Sequence, residues 1–198
     1  MRLGLFGGSF DPVHLGHLLM AEAAREQLAL DELWFIPAAQ SPHKQHGPRA
    51  SGKQRVEMLR LAVAGHPAYR VCEIEVNRQA PSYTVDTLAE IHEERPDDAL
   101  FLLLGGDAAV DFPSWREPDR ILTLATLAVF RRPEWPEPDL AALVNLHPSQ
   151  ARPPQLITAP PIGIRSTDIR ERLRAGKSIR WRVPRAVEEF LKQPHLYG

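Results

Sequence analysis

Two histidines three residues apart, His14 and His17, sit in the stretch GLFGGSFDPVHLGHLLMAEAA, between an apolar strand and an apolar helix. A plain strand-to-helix connection needs only a turn and a cap, and this one is longer and chemically richer. Gly7 and Gly8 end the strand, and glycine lets main-chain N–H groups approach an anion with no Cβ between. The helix that follows points its positive N-terminal end at the same place. Histidines three apart in a first helical turn share a face. Together these features make a phosphate site. For either histidine alone, a capping loop with a surface imidazole is the plainer reading. A zinc site built on the HxxH pair lacks obvious further ligands, because Cys72, the single cysteine, is remote in sequence.

A second stretch, IRSTDIR from Ile164 to Arg170, offers the same chemistry near the other end of the chain. Ser166, Thr167 or Asp168 is suited to cap a helix. Hydroxyls, free N–H groups, Arg165 and Arg170 at one helix start also form a polyphosphate cradle. Two such starts suit one triphosphate held between them. Other phosphate motifs lose support. There is no GxGxxG, and Gly47–Lys53 has Walker spacing but is followed by Gln54 where a Ser or Thr should meet Mg²⁺.

The elements that must position these loops alternate. Strands are expected at Arg2–Gly7, Glu32–Pro37, Val71–Val76, Ala99–Leu104, Leu127–Phe130 and Leu156–Ala159. Helices are expected at His17–Leu30, Gln54–Ala64, Val85–Glu94, Pro118–Ala125, Leu140–Leu146, Asp168–Arg174 and Arg185–Lys192. That order implies an α/β fold with a doubly wound, mostly parallel sheet and helices on both faces. Ligands then sit beyond the carboxyl ends of the strands. The 198 residues suit one domain, 1–198, with 165–198 a small C-terminal helical part. Nineteen prolines mark many loop boundaries. The formal net charge of −1 gives no global field for nucleic acid or anionic membrane. The basic run IRERLRAGKSIRWR has too little aromatic interleaving to read as an RNA site. With no signal peptide or membrane span in the pattern, and one cysteine, a cytoplasmic location is expected.

These strings resemble the nucleotidyltransferase superfamily with the (H/T)xGH signature, here His14-Leu15-Gly16-His17. The finer resemblance is to bacterial nicotinate-nucleotide adenylyltransferases. IPAAQSPHK, PSYTVDTL, LLGGDAAVDFPSW, RSTDIR and the ending HLYG fall in that family's order across essentially the whole chain. One departure is Arg165, which stands where the family often has a serine.

The resemblance implies joining of nicotinate mononucleotide to ATP, with pyrophosphate released and Mg²⁺ bound mainly through the ATP phosphates. It places Gly7, Gly8, Ser9 and Phe10 beside ATP, with His14 and His17 as the catalytic pair. Gly105 and Asp107 would meet the adenosine, and Ser166, Thr167 and Arg170 the triphosphate. Lys44, on the long loop after the second strand, is a mobile point charge for the phosphates. Trp115 is the candidate to stack on the pyridine ring. Tyr83 and Thr84 would hydrogen-bond its carboxylate, and Arg132 would reach the mononucleotide phosphate. Another HxGH transferase, acting on phosphopantetheine or using CTP, and a nucleotide-binding module without activity are the alternatives.

Overall fold

A computed structural model describes residues 1–39, 47–78, 81–131, 152–193 and 196–197. Its strands are β1 (Arg2–Gly8), β2 (Glu32–Pro37), β3 (Tyr69–Val71), β4 (Ala99–Leu104), β5 (Ala125–Arg131) and β6 (Gln155–Thr158). The described helices are α1 (Leu15–Gln27), α2 (Gly52–Val63), α3 (Ile74–Asn77), α4 (Thr84–Glu94), α5 (Gly106–Asp111), α6 (Pro118–Leu124), α7 (Ser166–Arg174) and α8 (Arg185–Phe190). The expected helix at Leu140–Leu146 lies outside the described residues. Among the described residues no helix is long and apolar enough to cross a membrane.

The strands form one sheet in the order β3-β2-β1-β4-β5-β6, and every pairing is parallel. Both faces are covered, as a parallel sheet requires. Leu3, Leu5, Leu100, Leu102, Leu127 and Val129 point to one side and pack with Val85, Leu88 and Ile91 of α4 and with Ile121 and Leu122 of α6. Phe6, Leu33, Phe35, Phe101, Leu103 and Phe130 point to the other. They meet Ala21 and Ala24 of α1, Met58 and Leu59 of α2, Ile169 of α7 and Val187 of α8. The chain winds outward from β1 through β2 to β3, then returns across β1 to β4. That reversal makes a crevice at the carboxyl ends of β1 and β4, the switch point where such sheets bind ligands. The β1–β4 register runs from Arg2↔Ala99 to Phe6↔Leu103, so both strands end at the same edge of the sheet.

The third strand departs from its expected place. VCEIEV alternates as a strand would, yet the ladder ends where the Cys72 N–H donates to the Phe35 carbonyl, and Ile74–Asn77 turn into α3. The neighbouring strand finishes at Pro37, which has no N–H. An edge strand with one neighbour therefore has nothing to continue against. Trp34 is also only half-buried: its indole N–H donates to Glu32, and Arg95 lies 5.6 Å over the ring.

Phe35, 0% exposed, touches Phe6, Phe10 and Tyr69 at ring distances of 5.6–5.8 Å. Phe35→Ala should lower the unfolding free energy by about 3–5 kcal/mol in urea titration. A loss under about 1 kcal/mol would show that this cluster does not carry the core.

Candidate active site

Beyond β1 the backbone turns at Phe10, whose φ of +45° is left-handed. The strain is held by packing, since the Phe10 ring is 1% exposed and meets Phe6, Phe35 and His17 at 5.0–5.7 Å. Any nucleotide contact at Phe10 is thus through its main chain. A Cβ on Gly8 would stand 2.9 Å from that ring, whereas one on Gly7 would meet nothing within 4 Å. Gly7 faces open space at the strand end, and Gly8 makes room for the ring beneath.

His14 and His17 are brought together. Their rings stack at 3.7 Å with a 24° tilt. His14 is the N-cap of α1, and its own N–H donates to His17 Nδ1 at 3.2 Å. An accepting Nδ1 assigns the proton of a neutral His17 to Nε2. The His14 ring turns its Nδ1 over the start of α1 with no hydrogen bond of full geometry. Burial alone pulls its pKa down to about 4, so the ring is neutral at pH 7. The intervening glycine has a steric cause. A Cβ on Gly16 would lie 2.9 Å from His14 Nδ1 and 3.2 Å from Ile162 Cγ2. Any side chain there pushes the first histidine from its place.

The two phosphate-type loops meet. Ser166 Oγ donates to the Pro12 carbonyl at 2.9 Å, and Arg170 Nη1 donates to the Asp11 carbonyl at 2.6 Å. Arg170 also pairs with the Asp11 carboxylate at 3.7 Å, and its other nitrogen reaches Thr167 Oγ1. None of Ser166, Thr167 and Asp168 is the cap. Arg165 is the N-cap of α7, with no capping side-chain bond. The serine hydroxyl is drawn across to Pro12, and Asp168 is engaged by Arg165 at 3.2 Å. The α7 start therefore keeps main-chain N–H groups uncapped by a side chain, beside α1.

Asp11 organises this convergence, and sequence reasoning missed it. It is 4% exposed. Its carboxylate accepts from the N–H of Arg49 and Ala50 at 2.8 and 3.1 Å and from Tyr197 Oη at 2.7 Å. Burial, and next the bond to Asp11, push the Tyr197 hydroxyl well above the usual phenol range. Arg55, 1% exposed, was also missed; it donates to the carbonyls of Ser9 and Ala50. The motif FDP and the ending HLYG were visible as strings, but only tertiary structure shows that they touch.

Across the crevice, Gly105 caps α5 and Asp107 lies exposed in its first turn. A Cβ on Gly105 would be 2.6 Å from Asp107 Oδ1. Tyr83 is the N-cap of α4 and Thr84 its first residue. Trp115 is half-buried with Phe112 5.5 Å away, and the next residue, Arg116, lies 4.7 Å over the Tyr83 ring and 3.6 Å from Asp86. Trp115 thus neighbours the α4 start in space, and Arg116 is a further residue there that sequence reasoning passed over. Lys44 and Arg132 lie outside the described residues. Among the described residues no three His, Cys, Asp or Glu side chains converge to hold a metal ion.

Residues 5–172 match the cytidylyltransferase-like family. A Thermus thermophilus protein named a probable nicotinate-nucleotide adenylyltransferase is 46% identical over 197 residues, with 100% of both chains covered. A Shouchella clausii protein of the same name is 42% identical over 197 residues, covering 100% of this chain and 97% of its own. Among solved structures, the Plasmodium falciparum nicotinic acid mononucleotide adenylyltransferase complexed with NaAD is similar with a TM-score of 0.78. That likeness covers 99% of this chain and 97% of the other at 17% identity, a likeness of fold.

The buried, neutral His14 gives a pH signature. An unfolded histidine takes up its proton near 6.5, and the folded one only near 4. Its contribution to stability is therefore complete above pH 6.5 and is lost as pH falls toward 4. The stability difference between wild type and His14→Gln should shrink on acidification across that window, by up to about 1.4 kcal/mol per pH unit. Taking a difference cancels other groups, including Glu75, whose burial raises its carboxyl pKa. A flat difference from pH 7 to 4 would show that His14 is solvated.

Proposed function

This chain belongs to the cytidylyltransferase-like family, and we propose that it transfers the adenylyl group of ATP to nicotinate mononucleotide, forming nicotinate adenine dinucleotide and pyrophosphate for NAD biosynthesis. The observation that carries the reading is the meeting of the GGSFDPVHLGH turn with the RSTDIR helix start through Ser166–Pro12 and Arg170–Asp11. In the reaction an oxygen of the mononucleotide phosphate bonds to the α-phosphorus of ATP, and the α–β bridging bond breaks. A phosphate monoester is largely dianionic at pH 7, since its second pKa lies near 6. It needs no base to become a nucleophile. What the protein must supply is position and stabilisation of developing charge.

The histidines suit that task. His17 accepts at Nδ1, so its donor is Nε2–H, and the stacking of the two rings fixes their directions. Gly7 leaves the strand end open to phosphate. The Thr167 hydroxyl and the N–H groups at the start of α7 offer donors to the triphosphate, while the Ser166 hydroxyl and Arg170 anchor that helix to the loop. We assign Asp107 and Gly105 to the adenosine, where a carboxylate accepts ribose hydroxyls. Mg²⁺ would be carried by phosphate oxygens and water, neutralising charge on the leaving group, an arrangement that asks for no protein cage.

The acceptor's ring carboxylate fits the start of α4. An 11-residue helix presents its first N–H groups and its positive dipole end there, flanked by Tyr83, Trp115 and Arg116. A carboxylate gains from that field and a neutral amide gains little. Lys44 and Arg132 remain proposed phosphate ligands. A cytoplasmic setting accords with the single free cysteine.

His17→Asn keeps an acceptor near the His14 N–H and removes the Nε2 donor. It should fold normally and lose about 10²–10³-fold in kcat, read from pyrophosphate release. Near-wild-type turnover would reject the donor role. With wild type, kcat/KM for nicotinate mononucleotide should exceed that for the amide analogue at least about tenfold, the scale of one charge–dipole contact. Equal values would remove the α4 assignment.

A further inference from the structure

Tyr197, in the string HLYG, takes no part in the chemistry proposed above, yet it is 6% exposed and hydrogen-bonded in two directions. Its hydroxyl donates to Asp11 Oδ1 at 2.7 Å, 186 positions away. Its carbonyl accepts from Nε of Arg174, in the last turn of α7, at 3.2 Å. Tyr197 thus bridges the end of α7 to the turn after β1. The start of α7 reaches the same turn by a separate route. Ser166 Oγ donates to the Pro12 carbonyl at 2.9 Å, and Arg170 Nη1 donates to the Asp11 carbonyl at 2.6 Å.

Two attachments do what one cannot. A helix held near one end keeps its distance but is free to tilt, and a second hold fixes its direction. Arg170 and Arg174 are one helical turn apart, about 6 Å along the axis, so the two holds act at different points. Ile169, 0% exposed, packs α7 on the core, but apolar contact is non-directional. Direction matters because the first N–H groups of α7, uncapped by a side chain, are the donors assigned to the triphosphate. We propose that Tyr197 and Arg174 are positioning residues that set the direction of α7, and with it the aim of its first N–H groups at the ATP polyphosphate. The proposal rests on the reading that the α7 start binds triphosphate, and it holds whichever acceptor is used. Removing the phenol hydroxyl leaves the Asp11 carboxylate its bonds from Arg49 and Ala50, so the turn keeps its shape while α7 loses its second hold.

The test uses the whole chain. Tyr197→Phe removes one hydroxyl and keeps the buried ring. Arg174→Ala changes an exposed residue and removes the other half of the bridge. Each should weaken ATP binding, read by calorimetry with Mg²⁺ and no acceptor, at least about fivefold, and should raise KM for ATP to match. KM for nicotinate mononucleotide should stay within about twofold. The double variant should bind ATP no more than about twofold worse than the weaker single variant, because both changes cut one bridge. A part in stability alone would lower the melting temperature and leave ATP affinity and KM for ATP at wild-type values, and that result overturns the proposal. Fully additive losses in the double variant overturn it too, since they put the two residues on separate paths. If Tyr197→Phe does not fold, Arg174→Ala carries the ATP measurement. If wild type binds ATP but releases no pyrophosphate with nicotinate mononucleotide, the acceptor reading fails instead, and the ATP affinities still decide the role of the bridge.

Discussion

The carboxylate of Asp11 is buried in the turn after β1, and the arrangement of the site depends on it. An isolated carboxylate there would be costly to desolvate. This one accepts two main-chain N–H groups and a phenol, and faces a guanidinium at 3.7 Å. Those partners come from the return of the long loop, the C-terminal segment and α7. One side chain therefore fixes where three distant parts of the chain meet the turn after β1. Removing it would leave the Tyr197 hydroxyl and the Arg49 and Ala50 N–H groups without their acceptor, a class of change that costs about 1–3 kcal/mol for each buried group. The convergence of the two phosphate-type helix starts is thus a consequence of satisfying one buried charge.

From that constraint the chemistry follows with little further machinery. Once the turn is fixed, His14 has to cap α1, and its N–H has to meet His17 Nδ1. The donor direction of His17 is then a result of backbone geometry. Gly16 is required by the same packing, because the His14 ring occupies the space where its Cβ would be. The signature HLGH is therefore a steric and hydrogen-bonding unit. Its first histidine is buried and neutral, its glycine makes the room, and its second histidine accepts at Nδ1 from the N–H of the first.

How much of this was legible in the sequence differs by element. The central strands were, since ALFLLL is apolar throughout and RLGLFG is apolar after Arg2, and only a sheet covered on both faces accepts them. The pairing of the HLGH and RSTDIR loops was legible as chemistry, because both are helix starts rich in donors. The edge was not. VCEIEV has the alternation of a strand, and nothing local reveals that its neighbour ends at Pro37. Nor did the capping rule hold at α7, where Ser166 bonds a carbonyl 154 positions away. Asp11, Arg55 and Tyr197 were illegible for the same reason. Their roles lie in contacts with segments far along the chain, and a residue's type does not name its distant partner.

The sheet explains why polar ties across its end matter more than the cores beneath. Phe10 and Val13 of the turn after β1 pack with the face that carries α1, α2 and α7, while Tyr83 and Trp115 pack with the opposite face, beside α4 and α6. Each apolar core orders its own half and is indifferent to small shifts of the other, since hydrophobic contact is non-directional. Only the strands and directional bonds set one half against the other. The strands do so up to their carboxyl ends, at Gly8 and Leu104. Beyond those ends the chain continues in the turn after β1 and in the starts of α1, α5 and α7. There the buried Asp11 and Arg55 supply directional bonds, Asp11 to Arg49, Ala50 and Tyr197 and Arg55 to Ser9 and Ala50, that hold the turn after β1 against the segments around it.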